Sequence, residues 1–161
     1  LRSGLAAALA LVARVAAAEP VTVSVDDVDL RIDLPAGWDA TPPPELPAGR
    51  ALAAYASAGR RLVIARLRAS TEGAYAARPA YFAGIEDGVR QESPGYQRLA
   101  GGARKLGKRP AYDLWYRAGG AVHGARFIFL RGLVVVARLE LPDARAVERG
   151  ARHLLESFKP Q

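Results

Sequence analysis

Between residues 97 and 141 the chain carries four strand-like stretches, 97–106, 110–117, 123–130 and 133–141, with turn signals at Gly107-Lys108, Gly119-Gly120 and Arg131-Gly132. Connections this short can only join antiparallel neighbours, because a parallel crossover needs a dozen residues or more. The segment is therefore expected to be an antiparallel meander. Tyr112, Leu114 and Tyr116 alternate with Asp113, Trp115 and Arg117. Leu133, Val135, Ala137, Leu139 and Leu141 alternate with Val134, Val136, Arg138 and Glu140, so one face is expected to be dry and the other mixed. A sheet with a dry face must be covered. The stripe Ala144, Val147, Ala151, Leu154, Leu155 and Phe158 predicts a closing helix that does this, with Asp143 placed to cap it.

Upstream, 21–25 and 28–34 alternate around Asp26-Asp27 and read as a first hairpin or as a strand with an extended lead-in. Pro35-Ala36-Gly37-Trp38 ends it, with the Trp38 ring expected to plug one end of the core. Residues 41–47 hold four prolines and read as a stiff, exposed loop. Residues 51–57 and 61–68 form a second hairpin around Ala58-Gly59-Arg60, with Val63, Ala65 and Leu67 on one face and Arg66 and Arg68 on the other. The period changes at 79–92, where Tyr81 or Phe82, Ile85 and Val89 recur at helical spacing and Ser93-Pro94-Gly95 stops the run. Gly84 and Gly88 weaken this helix by about 1 kcal/mol each relative to alanine, a cost expected if they let it lie close to the sheet.

Residues 1–18 read as an export signal: Arg2, an apolar run from Leu5 to Ala13, and the small residues Ala16-Ala17-Ala18 before Glu19. The run is too short for a transmembrane anchor. Residues 19–161 then form one domain, working in the periplasm or outside the cell. The absence of cysteine excludes disulfides, thiolate metal sites, cysteine nucleophiles and a lipidated cysteine tether. The net charge of +7 falls to about +5 without the leader's two arginines. The remaining cations are scattered among acids with no basic run, so nucleic acid is not the expected partner; an unidentified protein or an anionic envelope component is.

Leu34-Pro35-Ala36-Gly37-Trp38 after a strand, a helix, Gly107-Lys108-Arg109-Pro110-Ala111 leading into an aromatic strand, two further strands and a last helix ending Glu156-Ser157-Phe158 resemble the PsbP/Mog1-like superfamily, including its bacterial DUF1795 branch. The resemblance covers most of 28–158. It implies an α+β fold, a twisted antiparallel sheet of about six strands sandwiched by helices. Members of that superfamily share binding rather than catalysis, and the motifs carry over no functional residue.

His123 and His153 are the only histidines, so neither a multi-histidine metal centre nor a serine triad is readily assembled. Asp26, Asp27, Asp29 and Asp33 are the densest carboxylates, but their spacing fits a turn and solvent-facing strand positions rather than a calcium loop. Neither metal nor cofactor is expected. The candidate binding constellation is a basic sheet face of Arg66, Arg68, Trp115, Arg117, Arg126 and Arg138, since arginine and tryptophan suit anion or partner recognition. Against it, Asp113 and Glu140 can pair with these cations across strands, or a helix can cover them. The reading is a non-catalytic exported envelope protein that binds a protein partner or an anionic surface. A cytoplasmic adaptor or chaperone for a secreted partner is one alternative. A hydrolase using scattered carboxylates and His123 is another, and a purely structural envelope component a third.

Overall fold

The computed structural model describes residues 18–68, 78–142 and 149–161. The leader expected at 1–18 therefore lies outside the described residues except for Ala18, and so do Asp143, Ala144 and Val147, the residues expected to open the closing helix. The elements are β1 (Glu19–Val25), β2 (Val28–Leu34), β3 (Asp39–Thr41), β4 (Gly49–Ser57), β5 (Arg60–Arg68), α1 (Arg78–Glu92), β6 (Gln97–Leu106), β7 (Arg109–Ala118), β8 (Ala121–Leu130), β9 (Leu133–Leu141), α2 (Arg149–Ser157) and β10 (Lys159–Pro160).

The meander is present as expected, and it fuses with the second hairpin into one antiparallel sheet of order β3-β4-β5-β9-β8-β7-β6. The sheet has seven strands rather than about six. The added strand is β3, three residues after the Trp38 corner that pair with Ala54 to Ala56 of β4, too short to show an alternation of its own. The first hairpin forms instead a small separate sheet, β1-β2-β10, whose third strand is the C-terminal Lys159–Pro160. In the second hairpin Ala58 and Gly59 both take positive φ, 46° and 77°, and Ser57 pairs with Arg60. That is the two-residue turn whose twist matches its strands, and it costs the alanine some backbone strain.

The large sheet has a core on each face. On one face, Leu62, Ile64, Ile128, Val135 and Leu139 pack under the small sheet's Leu30 and Ile32 and under Leu154, Leu155 and Phe158 at the α2 end of the chain. Trp38 packs half-buried against this core, as its position after the first hairpin predicts. On the other face, Leu114, Phe127, Val134 and Val136 lie beneath α1, with Val89 buried and Tyr81, Phe82 and Ile85 half-buried. Leu46, from the proline-rich loop, packs against this second core. The two helices thus cover opposite faces of the sheet.

Candidate functional site

Strand register decides what becomes of the expected basic face. Leu130 pairs with Leu133, which places Arg126 opposite Ala137 and Ala125 opposite Arg138. Directly opposed residues share a face, so Arg126 and Arg138 lie on opposite sides of the sheet. Arg66, Arg68, Trp115, Arg117 and Arg126 occupy positions on the α2 face, and Arg138 stands on the α1 face. The six residues do not form one exposed patch.

Arg126 is only 4% exposed and Asp113 7%. Arg126 Nε and Nη2 donate to the two carboxylate oxygens of Asp113, both at 2.7 Å. Its Nη1 donates to the carbonyls of Glu156 at 2.8 Å and Phe158 at 3.4 Å. A helix leaves its last carbonyls without intrahelical partners, and this guanidinium satisfies two oxygens at the end of α2 while its charge is neutralised from the sheet. The cross-strand pairing with Asp113 and the covering helix are both realised, so Arg126 is a structural cation. Trp115 is buried, its ring lying over Gly124 so closely that a Cβ there would sit 2.6 Å from ring carbons. Arg66 is exposed and pairs with Asp26 at 3.3 Å across the margin of the small sheet. Arg117 Nη1 donates to Gln97 Oε1 at 3.5 Å. Arg68 is paired by its backbone with Leu133, and its side chain lies outside the described residues.

The α1 face holds a polar network that the sequence reading did not find. Glu86, from α1, accepts hydrogen bonds from the hydroxyls of Tyr96 and Tyr112, each at 2.9 Å, and pairs with Arg98 Nε at 3.0 Å. Burial pushes the Glu86 carboxyl up, but the two phenol donors and the Arg98 guanidinium together outweigh it and hold it below its ordinary value. Burial, reinforced by the adjacent carboxylate, pushes the Tyr96 phenol far upward and the Tyr112 phenol upward. Beside this network Phe82 stacks on Tyr112 at 4.9 Å and meets Phe129 at 5.3 Å, while Tyr81 meets Phe129 edge-on at 5.5 Å. Aromatic rings and one ionic latch therefore set the height of α1 above the sheet. Gly84 and Gly88 do not provide the close approach expected of them, since a Cβ at either would meet nothing within 4 Å.

Because α1 stands off in this way and the proline-rich loop closes from the other side, a cleft of about 360 Å³ opens between them. Its floor is the α1 face of the sheet, with Arg61, Arg138, His123 and Tyr116, and its rim carries Glu45, Leu46, Glu92 and Glu140. His123 stacks on Tyr116 at 4.9 Å with its Nε2 at 3.3 Å from the Ala118 carbonyl. Arg138 is half-buried and makes no hydrogen bond or ion pair with any described residue, although Glu92 and Glu140 line the same cleft. A partly desolvated guanidinium keeps five donors to be satisfied by water or a ligand.

The groups named for hydrolysis are not brought together. Asp26 pairs with Arg66, and Asp29 accepts from Ser24 Oγ at 2.6 Å, both in the small sheet on the α2 face, whereas His123 is on the α1 face. His153 is exposed on α2. Among the described residues no three His, Asp or Glu side chains cluster closely enough to hold a metal ion, and no helix is long and apolar enough to cross a membrane.

No family model matches the sequence, and no curated protein matches it either. Solved structures do. Cyanobacterial PsbP (CyanoP) from Synechocystis sp. PCC 6803 superposes with a TM-score of 0.62 at 15% identity, covering 98% of both chains. PA94 of Pseudomonas aeruginosa, a protein of unknown function and putative regulator, gives 0.45 at 18% identity over 76% of this chain and 82% of its own. LpqN of Mycobacterium tuberculosis, involved in cell envelope biogenesis, gives 0.46 at 18% identity over 88% and 91%. The likeness to CyanoP spans the whole sheet and both helices, and the architecture expected from the Leu34-Pro35-Ala36-Gly37-Trp38 and Gly107-Lys108-Arg109-Pro110 motifs is the one found: this chain has the PsbP-like fold.

Proposed function

We propose that this chain is a non-catalytic, exported protein of the bacterial cell envelope that binds a protein partner or an anionic envelope component through the cleft between α1 and the proline-rich loop. The observation that carries the reading is Arg138, a half-buried guanidinium without a described acceptor, in a concave site whose walls come from three separate parts of the chain. Export is supported by the leader pattern of residues 1–18, and a single domain from 19 onward by the length that remains. Non-catalytic binding is supported by the way the cleft's one histidine is engaged: it stacks on Tyr116 with its Nε2 near the Ala118 carbonyl and makes no hydrogen bond to Ser93, the hydroxyl that lines the same cleft.

The test is a photo-crosslinking residue placed at Glu92 in the native host, with fractionation and N-terminal mass spectrometry of the same sample. An extracytoplasmic chain beginning near Glu19, crosslinked to one reproducible component from position 92 but not from the exposed Arg31 on the small sheet, supports the proposal. A full-length cytoplasmic chain would replace it with the adaptor reading. Equal labelling from both positions would remove the cleft as the binding site.

A further inference from the structure

The cleft does not end at Arg138. An apolar groove of about 210 Å³ continues from it along the flank of α1, between Tyr81, Ile85 and Val89 of the helix and Leu67, Phe127 and Val134 of the sheet. Arg138 and Glu92 line both spaces, so groove and cleft meet at the guanidinium. Their combined volume falls within the roughly 300–1,000 Å³ typical of small-molecule sites. We propose that groove and cleft form one site for a single-chain amphiphile with a monocarboxylate head, the alkyl chain lying beneath α1 and the carboxylate meeting Arg138. The proposal rests on the reading of the cleft as a binding site and names the chemistry of its ligand.

Three observations select this occupant. The groove is walled by hydrocarbon and rings, and its charged groups are confined to the end where Arg138 and Glu92 stand. An extended peptide laid there would bring backbone N–H and C=O groups that need partners. The floor strands β8 and β9 are interior and already paired on both sides, so they can offer no ladder to such a peptide. An alkyl chain makes no such demand. At the polar end Arg138, the guanidinium at which groove and cleft meet, has no described acceptor and matches one carboxylate in a planar, two-point contact. Arg61 stands directly opposite Glu140 in the cleft, but with Glu45 and Glu92 the lining holds three carboxylates against the two guanidinium groups of Arg61 and Arg138, a balance that opposes a doubly charged phosphate head more than a single carboxylate. The helix wall is also kept low along this flank: Gly84 and Gly88 line the groove, and a Cβ added to either would project into open space.

The site is tested on the purified chain from residue 19 onward, by titration calorimetry and amide NMR with octanoate, decanoate and dodecanoate below their micelle-forming concentrations. The expected result is one saturable site, with affinity rising about three- to fourfold for each added methylene. Amide shifts should centre on Gly84, Gly88, Phe127, Val134 and Arg138. Dodecanol and dodecyltrimethylammonium should bind at least tenfold more weakly than dodecanoate, and Arg138→Met should lose about tenfold for dodecanoate while leaving dodecanol unchanged. Gly88→Leu should fill the groove and abolish binding while raising thermal stability, which separates loss of the site from loss of the fold. The proposal is overturned by the absence of saturable binding, by equal affinity for dodecanoate and dodecanol, by undiminished binding to Gly88→Leu, or by a peptide with an apolar C-terminus that binds where dodecanoate does not. A failure here with crosslinking from position 92 intact removes only the amphiphile; saturable dodecanoate binding without any crosslinked component removes only the envelope partner.

Discussion

Arg126→Met tests how the α2 end of the chain is held to the sheet. The side chain is 5% exposed, and the substitution strands three buried acceptors at once: the Asp113 carboxylate and the carbonyls of Glu156 and Phe158. Arg104 Nε remains 3.3 Å from Asp113, but that side chain is 57% exposed and compensates little. Breaking a buried ion pair from one side costs about 3–5 kcal/mol, because the remaining charge is left uncompensated. For a chain of this size each kcal/mol lowers the melting temperature by about 2–4 °C, so a fall of roughly 6–20 °C is expected. Urea unfolding followed by circular dichroism at pH 7 gives the free energy, and the double variant Asp113→Leu/Arg126→Met supplies the control. Removing the stranded carboxylate should restore at least about 1.5 kcal/mol, since a buried pair exchanged for apolar groups is often neutral. The two carbonyls still lack their donor, so restoration should be incomplete. A single-variant loss below about 1 kcal/mol, or a double variant less stable than the single, would refute the reading of Arg126 as a neutralised cap.

Five further variants have expected outcomes. Gly124→Ala drives a methyl into the Trp115 ring and should destabilise by about 1–3 kcal/mol, whereas Gly88→Ala meets open space and should stabilise by about 0.5–1 kcal/mol; matched urea titrations decide both. Arg66→Ala breaks an exposed pair and should stay within about 0.5 kcal/mol of the parent by the same method. Glu86→Gln should cost about 1–2 kcal/mol at pH 7. Because the folded Glu86 carboxyl lies below its reference value of 4.5, its contribution is complete above that pH and is lost as pH falls through the folded value. The gap between parent and Glu86→Gln should therefore close in unfolding curves taken at progressively lower pH below 4.5, and a gap independent of pH would contradict the ionic latch. The Tyr96 and Tyr112 phenols are held up in the folded state, so their contribution is present below the reference value of 10.0 and wanes as pH rises above it. Stability measured from pH 9 upward should decline less steeply in Tyr96→Phe than in the parent.

Alternation and turn chemistry were enough to determine the hairpins, the meander and the stripe of α2, because a strand's side chains must alternate and a two-residue turn admits only an antiparallel neighbour. Those turns also carry more than the basic-face reading took from them. Once Arg131-Gly132 joins Leu130 to Leu133 and Gly119-Gly120 joins Ala118 to Ala121, counting back along the strands opposes Asp113 to Arg126 and sends Arg138 to the other face. The Asp113 and Arg126 pairing was legible in this way; the basic face failed because within-strand alternation was used without the register between strands. The cleft and its continuation along α1 are different in kind. Glu86 is separated from its partner Tyr112 by 26 positions, and Leu46 from the floor of the cleft by still more. No periodicity records how far a helix stands from a sheet. That height was decided by the Phe82, Tyr112 and Phe129 rings and the Glu86 latch packing together, and it is the height that leaves Arg138 an open space in front of it.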